Sequence, residues 1–242
     1  MRKLTILTTV SAAVLVLTTA ASFADTVRMG TEGAYPPYNF INDDGEVAGF
    51  EREVGDKLCE IAGLTCEWVT NEWDTIIPNL LSGNYDTIIA GMSITDEREE
   101  VIDFTQDYYP PTASAYASVS DGIDLMAGVI AAQTSTIQAG YVATTGATLV
   151  EFATLDDTIA AVKNGEVDAV FADKDALAPF VAEQGFMFLG DDVPLGKGIG
   201  LGLRESDTDL KAKFDAAIDA MKADGSLNAL LIQYFGEETA TY

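Results

Sequence analysis

Short runs of β-branched and other apolar residues alternate with longer amphipathic stretches along this chain. The runs TVRMG, CEWVT and YDTIIAG predict strands, and the stretches FEREVGDKLCEIAG and WDTIIPNLLSG predict helices. Strands that alternate with helices in this way are typical of β–α–β units and a largely parallel sheet. We therefore predict an α/β fold.

Two stretches of the chain share one sequence frame. Residues 74–90 read DTIIPNLLSGNYDTIIA, and residues 157–172 read DTIAAVKNGEVDAVFA. Each copy predicts a helix, a glycine that ends it, and a buried strand, which favours two lobes of similar build; coincidence is the alternative, since such units are common in α/β proteins. Because ligands bind beyond the carboxyl ends of strands in α/β sheets, the segments after Ala90 and Ala172 form the candidate site.

The two strand ends carry opposite chemistry. Ser93 and Arg98 follow the first strand in the sequence GMSITDER, whereas Asp173 follows the second. A ligand with both a carboxylate and an ammonium group would satisfy both ends. Asp173 could also cap the helix that begins KDALAPFVAE. Arg98 could pair with its acidic neighbours, or it could hold an anion beside the free backbone N–H groups of a helix start.

Residues 1–24 are predicted to be a signal peptide outside the fold. A basic start, Arg2 and Lys3, precedes the apolar run 4–17, and Ser22-Phe23-Ala24 provides a small-x-small cleavage signal. We place the cleavage before Asp25 and expect a soluble protein exported to the periplasm. An N-terminal membrane anchor is the alternative, although the apolar run is short for a span.

Composition narrows the choice of partners. The chain has 39 Asp and Glu residues against 13 Lys and Arg residues, a net charge of −26, which makes nucleic acid and anionic membranes poor partners. Without histidine, the usual general base and the commonest transition-metal ligand are missing, and we predict neither a metal site nor a cofactor. In an oxidising compartment, a disulfide between Cys59 and Cys66 is favoured over two buried thiols.

Several motifs together resemble one family. They are YPPYNF, GEVAGFEREV, GMSITDER followed by FTQDYY, VDAVFAD, and the closing stretch LKAKFDAAIDAMKADGSLNALLIQYFG. The sequence is similar to the polar amino-acid-binding proteins of bacterial ABC importers, solute-binding protein family 3. MSITxER followed by FTxxYY is the most specific part, and the opening TEGAYPPYNF with the cysteine pair resembles the cationic amino-acid and opine branch.

The resemblance implies a two-lobe periplasmic binding protein type II fold with a two-strand hinge. Lobe 1 would comprise residues 25–112 and 203–242, and lobe 2 residues 113–202, with hinges near TASAYASV and GIGLGLR. Such a protein is a monomeric receptor that closes on an amino acid and delivers it to an ABC permease in the inner membrane.

The resemblance also assigns ligand contacts at the two strand ends. The Arg98 guanidinium would clamp the ligand α-carboxylate with two parallel hydrogen bonds. Ser93 and backbone N–H groups near Gly91 and Ser93, in the loop that also contains Met92, would add donors. Asp173 would take the α-ammonium group, and the Thr136 hydroxyl would lie near the carboxylate. The loop reads Ser135-Thr136-Ile137 where the family usually has Gly-Thr and a further hydroxyl residue, and Gly91 replaces a serine of some relatives.

Specificity would depend on the ligand side chain. Residues implied around it are the acid Glu32, the aromatic residues Tyr35, Tyr38 and Trp73, and the amides Gln133 and Gln138. A long aliphatic stem with a positive end suits aromatic walls, so we expect arginine, lysine, ornithine, histidine or an opine. Tyr38 and Trp73 could instead be core aromatics, and Glu32 a surface acid.

Three other functions stay open at this point. The first is a glutamine receptor, since an acid also accepts a hydrogen bond from an amide. The second is a periplasmic dehydratase on the same scaffold, for which Glu32 is the only candidate acid or base. The third is a sensor domain that signals instead of transporting.

Overall fold

The structure, a computed structural model, describes residues 26–242. The predicted signal peptide and its cleavage site before Asp25 lie outside this range. Within residues 26–242, no helix combines the length and the apolar character that crossing a membrane requires.

The first part of the described chain contains seven strands, three α-helices and a 3-10 turn at Trp73–Thr75. The strands are β1 (Thr26–Thr31), β2 (Ala34–Tyr35), β3 (Asn39–Ile41), β4 (Val47–Ala48), β5 (Thr65–Thr70), β6 (Thr87–Ile88) and β7 (Asp103–Tyr109). The helices are α1 (Phe50–Ala62), α2 (Ile76–Leu81) and α3 (Asp96–Glu99).

The remaining part contains six strands and five helices. The strands are β8 (Ala113–Ser118), β9 (Val129–Gln133), β10 (Thr148–Phe152), β11 (Ala169–Asp173), β12 (Met187–Pro194) and β13 (Ile199–Leu203). The helices are α4 (Ile137–Ala143), α5 (Leu155–Asn164), α6 (Lys174–Glu183), α7 (Thr208–Asp224) and α8 (Ser226–Phe235).

Two five-stranded sheets define two lobes. The first sheet has the order β5-β1-β6-β13-β7, and the second has the order β10-β9-β11-β8-β12. In the first sheet β1 pairs parallel with β5 and β6, and β13 pairs antiparallel with β6 and β7. In the second sheet β9 pairs parallel with β10 and β11, and β8 pairs antiparallel with β11 and β12. We call the part built on the first sheet the first lobe and the part built on the second sheet the second lobe. A third, small sheet has the order β2-β3-β4, and its strands lie in the chain between β1 and β5 of the first lobe.

The chain passes between the sheets twice, through residues 110–112 and residues 195–198. The segments predicted as hinges, 112–119 and 198–204, contain strands that pair fully within one sheet each. Among the strands of residues 26–242, β8 pairs only in the second sheet and β13 only in the first. The predicted lobe boundary at 202/203 therefore runs through a strand that hydrogen bonding assigns to the first sheet.

Both copies of the repeated frame fold as a helix, a glycine and a strand. α2 is followed by Gly83 and β6, and α5 is followed by Gly165 and β11. The two glycines have φ values of 78° and 71°, the left-handed conformation that ends a helix without the steric cost of a Cβ atom. β6 ends at Ile88, two residues before the predicted end at Ala90, because the backbone bends and reaches a φ of 63° at Gly91.

α1 anchors the first lobe. Its apolar face buries Phe50, Val54 and Leu58, and α1 packs against α7 and α8. The predicted disulfide is present: Cys59 of α1 is bonded to Cys66 of β5, with the two Cα atoms 6.3 Å apart. This bond ties the outer helix to the edge strand next to β1, which leads directly to the site.

Candidate functional site

A cavity lies between the two lobes, where β1, β6, β9 and β11 end. Its lining from the first lobe consists of Glu32, Tyr35, Trp73, Ala90, Gly91, Ser93 and Arg98. Its lining from the second lobe consists of Gln133, Thr136, Ile137, Gln138 and Asp173. The structure thus brings most of the predicted residues to one place, and only Tyr38 and Met92 are absent from the lining.

Arg98 lies in the short helix α3, where its side chain turns toward the cavity. The Thr95 hydroxyl caps the helix and accepts from the Arg98 backbone N–H at 3.2 Å. The guanidinium donates through Nη1 to the Ser93 carbonyl at 2.8 Å, and its Cζ atom lies 5.3 Å from the centre of the Trp73 ring. The remaining guanidinium donors could bind a carboxylate in the cavity.

The acidic neighbours of Arg98 pair with a different base. Lys197 contacts Asp96 and lies 2.9 Å from a carboxylate oxygen of Glu99, whereas Arg98 has no salt bridge within the described part of the chain. Of the two roles considered for Arg98, pairing with nearby acids is therefore not the one that the structure shows. Burial lowers the pKa of Arg98 to about 10, and the charges of Asp173 and Glu97 oppose this shift. Arg98 remains positively charged at neutral pH.

Asp173 is the last residue of β11 and directly precedes α6. Its Oδ2 accepts from the Tyr35 hydroxyl at 2.7 Å, and its Oδ1 accepts from Gln138 Nε2 at 2.8 Å. The carboxylate makes no hydrogen bond to the backbone of α6, so the capping role considered for it is not used. Burial raises the pKa of Asp173 to about 6, although the bond from Tyr35 favours the charged form.

Glu32 follows β1 and faces the second lobe. Its Oε1 accepts from Gln133 Nε2 at 2.6 Å across the space between the lobes. Burial raises the pKa of Glu32 to about 7, and the bond from Gln133 opposes that shift. Glu32 is therefore a partly buried acid of the cavity, which removes the alternative of an ordinary surface acid.

Two aromatic side chains form cavity walls, and one predicted aromatic residue does not. Tyr35 and Trp73 are buried apart from their cavity faces, and Trp73 Nε1 donates to the Ser135 carbonyl of the second lobe at 3.3 Å. Tyr38 is fully buried behind Tyr35, with ring centres 5.6 Å apart, and its ring lies 4.9 Å from that of Phe235. Its predicted ligand contact is corrected to a core role.

Met92 is also a core residue. Its side chain is 1% exposed and belongs to an apolar cluster with Ile76, Ile88 and Phe104. Alternation along the loop explains this, since Gly91 and Ser93 line the cavity while the residue between them points into the first lobe.

The loop before α4 keeps a glycine-like backbone without a glycine. Ser135 has a φ of 57°, the left-handed conformation that is unusual for a residue with a Cβ atom. The Thr136 hydroxyl donates to the Gln133 carbonyl at 2.6 Å and accepts from the Ala139 N–H at 3.1 Å, so it caps α4. Its hydrogen is thus already used within the loop, and Ile137 contributes an apolar contact to the cavity.

Glu51 is a residue of the site region that the sequence did not reveal. Although it lies in the first turn of α1, it is fully buried and accepts from the Gly91 N–H at 2.6 Å. It also accepts from Asn39 Nδ2 at 2.7 Å and from the Tyr108 hydroxyl. Burial raises its pKa. The Gly91 N–H, expected as a donor to the ligand, is therefore held by Glu51.

The charged groups of the cavity define what it can bind. Two carboxylates, Glu32 and Asp173, and one guanidinium, Arg98, line the same small space between apolar and aromatic walls. A solute held here needs an anionic group for Arg98 and cationic or hydrogen-bond-donating groups for the two acids. Two lobes that enclose a polar cavity of this kind define a binding protein for a small amphoteric solute.

Comparison with known proteins agrees with this class. Residues 27–237 match the family of bacterial extracellular solute-binding proteins, family 3, and the chain belongs to that family. The match confirms both the family expected from the sequence motifs and the two-lobe type II periplasmic binding protein fold.

Three relatives illustrate the similarity. A crystal structure of a periplasmic His/Glu/Gln/Arg/opine family-binding protein from Silicibacter pomeroyi, in complex with lysine, is 72% identical, with a TM-score of 0.88. The match covers 89% of this chain and all of that one. An L-arginine-binding protein of Pseudomonas aeruginosa is 35% identical, with 97% of each chain covered. A lysine/arginine/ornithine-binding periplasmic protein of Escherichia coli is 30% identical, covering 90% of this chain and 92% of the relative.

Proposed function

We propose that this protein is a periplasmic receptor that binds a cationic amino acid between its lobes and delivers it to an ABC permease in the inner membrane. The observation that carries the proposal is the charge of the cavity lining, which combines two carboxylates with one guanidinium. A cationic amino acid has the complementary set of two positive groups and one negative group. Each buried charge of the cavity would then face an opposite charge, which burial requires.

The geometry supports one orientation of the ligand. Its α-carboxylate would meet the free guanidinium donors of Arg98, and its α-ammonium would meet Asp173 on the opposite lobe. The side chain would run between Tyr35 and Trp73 toward Glu32. Aromatic faces stabilise an aliphatic stem and a nearby cation, and Glu32 would end the path as the acceptor of the cationic head.

The relatives support the same ligand class and compartment. The Silicibacter pomeroyi structure contains lysine, and the Pseudomonas aeruginosa relative is named for arginine. We extend to this chain the family's place in transport, with a cleaved signal peptide, a monomeric receptor and a membrane permease as partner. Closure would move the lobes about residues 110–112 and 195–198, where the chain crosses between the sheets.

Glutamine is a second candidate ligand, and one contact favours it. The Gln133 side-chain amide already donates to Glu32 at 2.6 Å, so an amide is an acceptable partner for this acid. A carboxyl group with a pKa of about 7 can also face a neutral ligand in its protonated form. Glu32 can therefore distinguish a cationic amino acid from glutamine only by the charge of the ligand side chain.

We propose binding without chemistry at this site. Catalysis by an acid or base needs a group placed against a reacting atom and free to exchange its proton. Arg98, Asp173 and Glu32 are each accounted for by one charged group of the proposed ligand, and Asp173 already accepts from Tyr35 and Gln138. A dehydratase would have to use Glu32 alone.

Isothermal titration of the protein without residues 1–24 tests the proposal. Arginine, lysine, ornithine and histidine form one group of ligands, and glutamine and glutamate serve as comparisons. We expect selective binding of at least one cationic ligand. Glu32→Gln should then weaken that ligand about tenfold or more, because the hydrogen bond to the cationic head loses its charged acceptor, and it should weaken glutamine only slightly.

Two results would contradict the proposal at different levels. Equal loss of cationic ligand and glutamine in Glu32→Gln would remove Glu32 from specificity while leaving the receptor in place. Failure of the folded wild-type protein to bind any of these amino acids would reject the receptor function itself. A thermal melt with each ligand provides a second measurement, since a ligand that binds only the folded state raises the melting temperature of the protein.

A further inference from the structure

The cavity borders a larger surface groove. Glu32 and Trp73 line both spaces, whereas the groove continues over the first lobe and ends at Ala153 and Thr154 of the second lobe. A ligand side chain that ends at Glu32 would therefore end where the groove begins.

Gln133 spans this boundary. Its Nε2 atom donates to Glu32 Oε1 at 2.6 Å and to the Ala153 carbonyl at 3.0 Å, which uses both N–H bonds of the amide. Gln133 lines only the cavity and Ala153 only the groove, so the second bond crosses from one space to the other. The side chain is 5% exposed and is fixed as the last residue of β9.

The groove beyond Gln133 accepts one sign of charge. Besides Glu32, its lining includes the acids Glu46, Glu67, Glu72 and Asp74, with Arg52 as the basic residue among the described lining. An ammonium group that reached the groove would enter a negative potential, whereas a carboxylate would be repelled. The charge of the groove would therefore favour, and not oppose, a longer cationic ligand.

We propose that Gln133 limits the length of the ligand, so that the receptor takes free cationic amino acids and excludes those with an extended side chain. This inference rests on the proposed function, because it assumes that the ligand side chain points toward Glu32. With Gln133 in place, the Glu32–Gln133–Ala153 bridge closes the end of the cavity. Without its side chain, a ligand can pass Glu32 and place its end in the acidic groove.

Titration with L-lysine and N6-glycyl-L-lysine tests this role. The second compound keeps the α-amino and α-carboxyl groups of lysine and ends in an ammonium group one residue further out. The wild-type protein should prefer lysine about tenfold or more, because a close-packed site discriminates to that degree against a side chain that it cannot enclose. Gln133→Ala should reduce or reverse this preference by about tenfold.

Two further variants separate length from other effects. Gln133→Leu removes the hydrogen bonds but fills a similar volume, and it should still exclude the longer compound. Gln233→Ala changes an exposed glutamine of α8 and should leave both affinities unchanged. Gln133→Ser gives a second opening of the passage and replaces Gln133→Ala if thermal melts show that the alanine variant does not fold.

The possible failures are distinguishable. Equal affinity of the wild-type protein for the two compounds would overturn the length limit, and so would a folded Gln133→Ala that binds lysine but gains nothing for N6-glycyl-lysine. If the wild-type protein binds none of arginine, ornithine, histidine and lysine, the proposed function fails, and the length limit fails with it.

Discussion

Arg98 and Asp173 follow equivalent strands of the two lobes, yet the protein prepares them differently. Both oxygens of Asp173 already accept from neutral donors, Tyr35 and Gln138. Within residues 26–242, Arg98 donates one side-chain hydrogen bond, to the Ser93 carbonyl, and its other donors have no partner. Burial disfavours the charged form of each group, lowering the pKa of Arg98 to about 10 and raising that of Asp173 to about 6.

This difference shows which end of the cavity responds to pH. At neutral pH Arg98 is far from its pKa and stays charged, while Asp173 is close to its own. Neither group has an ion-pair partner within the described part of the protein, so the zwitterionic ligand that we propose would supply both counter-charges at once. The first-lobe end therefore stays a cation, and the second-lobe end is an acid that a bound ammonium group would help to ionise.

Removal of the guanidinium should have the largest effect. Arg98→Ala leaves the ligand carboxylate buried without a partner, and we expect affinity to fall about 100-fold or more. The affinity of Arg98→Lys should lie between those of the wild-type protein and Arg98→Ala, because lysine keeps the charge but not the planar fork. Arg52→Ala, which removes a half-buried guanidinium of α1 that pairs with Asp56 and does not line the cavity, is the control. If folded Arg98→Ala bound the ligand with near wild-type affinity, the proposed contact between Arg98 and the ligand carboxylate would be contradicted.

Asp173→Asn should have a smaller effect, about tenfold to about 100-fold, because the amide oxygen can still accept from the ligand ammonium but without charge. Asp175→Asn is a matched control. Asp175 accepts from the Tyr109 hydroxyl of the first lobe at 2.6 Å, as Asp173 does from Tyr35, but it does not line the cavity. Equal losses in the two variants would show that contact between the lobes, and not the ligand ammonium, explains the effect.

The affinity for a cationic ligand should depend on pH near neutrality. Burial raises the pKa of Glu32 to about 7 in the free protein. A cation bound beside it would lower that pKa, so binding near or below this pH would release a proton. The affinity should approach its maximum at pH values above the pKa of Glu32 and should fall as the pH decreases below it, by up to about tenfold per unit where one proton is released. The fall should be steeper below the pKa of Asp173, about 6.

Titrations between pH 5 and pH 8.5 measure this effect, with glutamine as the comparison ligand. Glutamine places no second cation at Glu32, so its affinity should change less between pH 6 and pH 8. The same slope for both ligands, or a slope that Glu32→Gln leaves unchanged, would argue against Glu32 as the titrating group.

The smallest expected effect is on stability. Ser135→Gly should remove the cost of a left-handed backbone at φ 57°, about 1 kcal/mol, partly offset by the greater freedom of glycine when unfolded. A rise in melting temperature of at most about 2–4 °C would follow for a chain of this size. Ser120→Gly, at an exposed position, should not raise the melting temperature, and a fall in Ser135→Gly would mean that the serine side chain stabilises the loop.

The residues that the sequence identified best are those with chemistry unlike their surroundings. Arg98, Asp173 and Glu32 could be placed because each follows a predicted strand, and the carboxyl ends of strands meet at one edge of a sheet. Tyr38 and Met92 were placed wrongly, since proximity along a loop does not say which side chains face the cavity. Glu51 was missed because an acid in the first turn of a helix normally faces solvent.

The sequence by itself determined the α/β class, the repeated helix–glycine–strand frame, the disulfide and the opposite charges at the two strand ends, since these follow from local periodicity, turn residues and short motifs. Only the tertiary structure decided which groups face each other across the lobes. The bonds from Tyr35 to Asp173 and from Gln133 to Glu32 join residues 138 and 101 positions apart. Such contacts depend on how two separately formed sheets pack together, and no local pattern of residues specifies that packing.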